Sequence, residues 1–176
     1  MIVFDAFIDP GKYDASIALF SVEGHLRGAR MVALGSLVGS PFAGKPLPHL
    51  VADAVRDWLR NANVEEDITI RHARIERMKV YQARGQKGDQ EDVLDVQLTG
   101  GACGLAMLDF CCQDVQYVYA AEWKGQIPKP VTKRRVDEAL SAMEKVCITW
   151  PYPRSKRHNV YDAIHGGLRT LTSRRA

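Results

Sequence analysis

Apolar and polar positions alternate from the first residues of the chain, and the period of that alternation changes along it. Ile2-Val3-Phe4 through Phe7-Ile8 reads as a strand running into Asp9-Pro10-Gly11, and Ala15 to Val22 as a second apolar run ending at Gly24. Strands are predicted over 1–9, 14–23 and 27–34, with turns at Pro10-Gly11 and Glu23-Gly24-His25. Gly35 to Pro48 contains three glycines and three prolines and predicts a loop. Leu50, Val51, Ala54, Val55, Trp58 and Leu59 then recur at helical spacing and predict a helix over 48–62, while Ile68, Ile70 and Ile75 mark a strand over 67–76. Arg77 to Asp89 is a polar loop. Asp89 suits an N-cap, with Glu91 and Asp92 in a first turn where acids oppose the helix dipole, and a largely apolar helix follows to about Cys112. A short strand over Val115 to Ala120, a basic loop over Glu122 to Thr132, a helix over Lys133 to Val146, a loop over Trp150 to Ser155 and a helix from about Arg157 to Thr172 complete the reading.

The order β-β-β-α-β-α-β-α-α predicts an α/β fold: a mixed sheet of three antiparallel N-terminal strands plus two further strands, flanked by helices. A chain of 176 residues is long enough for one domain with its own core, so residues 1–176 are read as a single domain. Its hydrophobic fraction of 46% and charged fraction of 26% are those of an ordinary soluble protein. No stretch approaches the ~18 apolar residues of a membrane span. The N-terminus lacks the basic region that precedes the apolar run of a signal peptide, so its first residues are expected to be structural.

Cysteine usage and charge narrow the chemistry. Cys103, Cys111, Cys112 and Cys147 form no CxxC pair, which removes zinc-type spacing. Their apolar surroundings predict buried free thiols in a reducing cytoplasm. Residues 120–176 hold 12 Lys/Arg against 5 Asp/Glu, a balance of +7, whereas residues 1–119 hold 12 against 16, a balance of −4. An acidic first part beside a basic last part suits a metal centre next to a polyanion-binding surface, and equally a plain solvated basic tail.

Three carboxylates stand at points where such a centre would need them. Asp9 ends a buried first strand, where its charge is costly to desolvate unless a cation or another partner meets it; a turn aspartate before Pro-Gly is the alternative. Glu76 closes the strand 67–76, which in the predicted sheet lies next to the first strand, although Arg74 and Arg77 also offer it surface ion pairs. Asp162 lies in the last helix with His158 and Asn159 on the same side, an arrangement that suits a divalent metal or a local hydrogen bond. His165 reads as a core or surface histidine. Clustered carboxylates repel one another, and two divalent ions ~3.5–4 Å apart would compensate them and promote phosphodiester hydrolysis. Oxygen-rich ligation favours Mg²⁺, with Mn²⁺ able to substitute, over Zn²⁺.

Phe7-Ile8-Asp9-Pro10-Gly11, the strand end Ile75-Glu76 and His158-Asn159-Val160-Tyr161-Asp162-Ala163 resemble the RuvC-like Holliday-junction resolvases of the ribonuclease H-like superfamily. Lys87 to Asp95 and Trp123 to Lys129 are similar to the phage-type members in particular. The resemblance spans nearly the whole chain and implies a ribonuclease H-like fold. It also implies two Mg²⁺ ions per active site and a homodimer that nicks opposing strands of branched DNA at a four-way junction. It carries Asp9, Glu76 and Asp162 over as metal ligands and catalytic residues. The family places Asp or His three residues before the last Asp. This chain has Asn159 there and His158 one residue earlier, and His158 is favoured as the fourth ligand because imidazole binds metal better. Lys133 matches a position where a lysine supports cleavage. Lys124, Lys129, Lys133, Arg134, Arg135 and Lys79 are the candidate DNA-binding residues, with Trp123 and Tyr81 as candidates for stacking on bases. Asp89 and Asp92 read as helix-capping and first-turn acids. Arg77-Met78-Lys79 departs from the family's aromatic wedge. The buried helix after Asp89 is the candidate dimer face. A nuclease of the same fold acting on flaps, forks or structured RNA, and a binding module with an incomplete site, are the competing readings.

Overall fold

In a computed structural model, the described residues are 1–33, 47–61, 67–78, 89–110, 112 and 114–172. The alternating N-terminal segment forms β1 (Ile2–Pro10), β2 (Asp14–Ser21) and β3 (Leu26–Ala33), an antiparallel meander in which Asp9 pairs with Ser16 and Phe7 with Ala18. Helix α1 (Pro48–Asn61) leads to β4 (Ile68–Arg77), which pairs parallel with β1. Helix α2 (Gln90–Leu108) leads to β5 (Asp114–Tyr119), parallel to β4. After α3 (Ala120–Trp123), α4 (Lys129–Ala139) and α5 (Ala142–Val146), a two-residue β6 (Ile148–Thr149) joins the edge of β3, and α6 (Arg157–Thr170) ends the fold. The strand order is β5-β4-β1-β2-β3-β6.

β1 lies in the middle of the sheet, so both of its faces are buried and its alternation separates two cores. Ala6 and Ile8 pack with Ile17, Ile70 and Ile75 under Val55 and Leu59 of α1 and Met107 of α2. On the opposite face Phe7 packs with Ala18, Phe20 and Val118 under Trp123, Val136, Val160, Ile164 and Leu168. Burying one such side chain contributes about 1.5–3 kcal/mol, so the two cores pin the register of β1. Helix α6 reaches the sheet through Gly166 and Gly167. A Cβ at Gly166 would collide with the Phe7 ring, and one at Gly167 with the Phe20 ring. The glycine pair therefore sets how closely the helix carrying Asp162 approaches the strand carrying Asp9.

Several expectations shift. The predicted helix 133–146 is two helices, because Leu140 is extended (φ −91°, ψ 133°) and Ser141 starts a new helix with a capping box to Glu144. The first of them begins at Lys129, with Pro130 in the first turn, where its missing N–H costs nothing. The predicted loop 122–132 thus holds the end of α3 and the start of α4. The sheet has six strands instead of five, since β6 is too short to show a period. Cys103 and Cys112 are buried as expected, but Cys147 is exposed. Cys111, and residues 35–46 of the loop predicted over Gly35 to Pro48, lie outside the described residues, and Pro48 itself begins α1.

Candidate active site

The register brings two of the three candidate carboxylates together. Ile8 pairs with Ile75, so the next residues, Asp9 and Glu76, stand side by side at the same end of adjacent parallel strands and on the face that α6 covers. Asp162, buried at 8% exposure, faces them from α6. The electrostatics record this proximity. Burial, reinforced by Glu76, Asp162 and Asp14, holds the Asp9 carboxyl well above the usual carboxylate range, with Lys124 opposing. Burial pushes Glu76 up to about 7, with Lys124 lowering and Asp162 raising it. Lys124 was expected on the DNA-binding surface. It stands within the cluster instead, its Nζ 2.6 Å from Asp162 Oδ2.

Whether these residues suit a divalent cation follows from that balance. Three acids share one ammonium, and burial and mutual repulsion oppose ionisation of two of them. An all-oxygen donor set of this kind suits a hard divalent cation, and Lys124 supplies the positive charge among these acids. Among the described residues, no three Asp, Glu, His or Cys side chains are close enough to hold one ion as they stand.

Beside Asp162 lies a cleft of about 300 Å³ lined by Lys129, Lys133, Arg154, Arg157 and His158. His158 is thus on the cluster's flank, with its Nδ1 2.6 Å from the Ser155 carbonyl oxygen, which leaves Nε2 facing other partners. Lys129 and Lys133, two of the candidate DNA-binding residues, line the cleft. Arg134 makes an exposed pair with Glu138 at 3.8 Å, a solvated helix contact, and Arg135 lies close enough to His165 to disfavour its protonation. Lys79 and Tyr81 lie outside the described residues. Trp123 is a packing residue, edge-on to Phe7 at 5.4 Å and to His165 at 5.6 Å. His165 is fully buried, chiefly by desolvation held down to about 4, and so is a neutral core histidine. Asp89 caps α2 by accepting from the Glu91 N–H at 3.1 Å, and Asp92 pairs with Lys12 at 2.6 Å, in keeping with their expected structural roles. Sequence reasoning missed Asp14, Lys156, Arg154 and Arg157. Asp14 reads from the sequence as a turn acid, and only the pairing of Asp9 with Ser16 puts it on the cluster's face.

Comparison of the sequence with known protein families gives no match, and comparison with curated proteins gives none either. Solved structures do match. Thermus thermophilus RuvC in complex with a Holliday-junction substrate is 14% identical with a TM-score of 0.54, covering 94% of this chain and 92% of that one. A second Thermus thermophilus RuvC structure is 14% identical with a TM-score of 0.51, covering 98% of each chain. The mixed sheet, the antiparallel β1–β3 and the flanking helices give this chain the ribonuclease H-like α/β fold of RuvC.

Proposed function

We propose that this chain is a metal-dependent endonuclease that resolves four-way DNA junctions by paired, symmetric nicks. The observation that carries this is the convergence of Asp9, Glu76 and Asp162, from two strands and a helix, on one shared ammonium. The likeness to a RuvC bound to a Holliday-junction substrate supports branched DNA as the partner. Asp9, Glu76 and Asp162 would hold Mg²⁺, two ions per site with Mn²⁺ able to substitute, and His158 would complete the set from α6. Bound there, such ions activate water and offset charge on the leaving oxygen. Lys133 and Lys129 hold the phosphate of the cut strand beside Asp162, and Arg154 and Arg157 extend that grip along the backbone. The enzyme works in the cytoplasm of a bacterium or of a phage-infected host.

The active form is a homodimer, matching the two-fold symmetry of its substrate. Leu94, Leu98, Leu105 and Leu108 of α2 are 55–65% exposed and follow one another at the spacing of a helix–helix seam. A monomer by light scattering at micromolar concentration overturns this part.

The test of the whole reading is cleavage of a labelled four-way junction beside linear duplex of the same sequence, with Mg²⁺, Mn²⁺ or EDTA. Paired nicks that need metal and vanish in Asp162→Asn are expected. Equal cutting of both DNAs would make the chain a general nuclease of this fold. The Asn159 departure favours one other reading, a junction-binding module, which tight binding without cutting would establish.

A further inference from the structure

Asp14 stands apart from the three carboxylates already described. It opens β2 and is 8% exposed. Asp9 pairs with Ser16, so those two side chains lie next to each other on one face of the sheet. Asp14, two residues before Ser16, projects from the same face, one diagonal step from Asp9. Its side chain leans back over the turn. The Gly11 N–H donates to the Asp14 carbonyl at 2.7 Å, and a Cβ at Gly11 would collide with Asp14 Oδ1. Glycine at position 11 is therefore what leaves room for the Asp14 carboxylate over the turn, from where its charge reaches Asp9.

A buried acid set beside an acidic cluster is unfavourable unless a cation joins them. The side chain that meets Asp14 is Lys156, at 3.1 Å and half exposed on the turn before α6. Ser16 points the same way independently. Its hydroxyl is fully buried directly opposite Asp9 and has no hydrogen-bond partner among the described residues. Buried hydroxyls are nearly always satisfied, so this one implies a ligand at the Asp9 end of the strands.

We infer that Asp14 is a fourth carboxylate of the metal centre, approaching it from β2 beside the Ser16 hydroxyl. The inference rests on the metallonuclease reading above. Four carboxylates match two divalent cations in charge, and in the metal-free protein Lys124 on Asp162 and Lys156 on Asp14 hold the places of those cations. Asp14 would thus stand with Asp9, Glu76, Asp162 and the His158 imidazole as a ligand supplied from a further element, β2.

The experiment is Mn²⁺ binding to the full chain, read by electron paramagnetic resonance and calorimetry without DNA, for wild type, Asp14→Asn and Lys156→Met. Asp14→Asn should weaken Mn²⁺ binding at least about tenfold while keeping the far-ultraviolet circular dichroism of wild type. Lys156→Met should leave Mn²⁺ affinity equal or tighter, because it removes a competing ammonium. Wild-type affinity in Asp14→Asn, or equal weakening in both variants, means that Asp14 serves only the salt bridge and overturns the inference while leaving the metal centre standing. A wild-type protein that takes up no Mn²⁺ at millimolar concentration overturns both.

Discussion

Asp5 and Asp9 lie on the same strand and the same face, and both are drawn into the protein, yet their surroundings differ in kind. Asp5 is 1% exposed and is met by a guanidinium fork, with Arg71 Nε and Nη2 donating to its two oxygens at 3.0 and 2.5 Å. Arg71 reaches it because the β1–β4 pairing slips between Phe4 and Asp5, so that Arg71 is the extra residue of a bulge and is re-aimed toward β1. Asp9 has no comparable donor. Among the described residues no side chain forms an ion pair with it; Glu76, Asp162 and Asp14 oppose its ionisation, and the one cation working against them, Lys124, is paired with Asp162. One carboxylate is compensated within the chain and the other is left for something outside it. An acid kept without an ion-pair partner where one was sterically possible a few residues away is what the proposed metal-binding role of Asp9 calls for.

The comparison breaks if the two aspartates respond alike to mutation. Asp9→Asn should cost cleavage roughly 10³-fold, the loss of several kcal/mol of transition-state stabilisation, while the metal-free protein melts no lower than wild type. Junction cleavage rates and calorimetric melting of the same preparations check both halves. Arg71→Met should behave oppositely. It strands the buried Asp5 charge and should destabilise by about 3 kcal/mol, the low end for a broken buried pair because Arg71 is itself 39% exposed. Urea unfolding measures that loss, and cleavage per folded molecule should be unchanged. If Asp9→Asn unfolds the protein while Arg71→Met leaves it intact, the division between a structural and a working carboxylate is wrong.

What the sequence reveals of this arrangement follows how local each cause is. The meander and the placement of Asp9 are legible, because alternation over β1 and β2 fixes which side chains share a face. Glu76 is legible once β4 is set beside β1. The Gly166-Gly167 approach is not, because it depends on Phe7 and Phe20 lying beneath α6, residues far away in the chain. Lys124 reads as one more cation in a basic loop, and only the fold reveals that its partner is Asp162. Asp14 is hidden for a different reason: an acid before an apolar run looks like a turn residue, and only the Asp9–Ser16 pairing puts it on the face of the cluster. The break between α4 and α5 was written in Ser141 and Glu144, but a helical reading of the apolar positions ran over it.

The smallest effect gives the sharpest view of the uncompensated end. Glu76 is held up to about 7 in the folded protein, against about 4.5 for an ordinary glutamate. Between these values the folded state binds more protons than the unfolded one, so this group makes stability fall as pH rises through that window. Below it both states are protonated and the group contributes nothing; above it the folded state carries the full penalty of an ionised carboxylate among its neighbours. Glu76→Gln removes the penalty. In the metal-free protein it should therefore raise the melting temperature at pH 8, by roughly 2–4 °C for each kcal/mol recovered in a chain of this size, and leave it unchanged at pH 4. Melting curves of wild type and Glu76→Gln across pH 4 to 8 in EDTA check this. Adding Mg²⁺ at pH 8 should stabilise wild type more than the variant, because the penalty that glutamine removes is the same one the cation would offset. A variant that is less stable than wild type at pH 8 without metal would mean that Glu76 already has its partner within the chain, and that the contrast with Asp5 does not extend beyond Asp9.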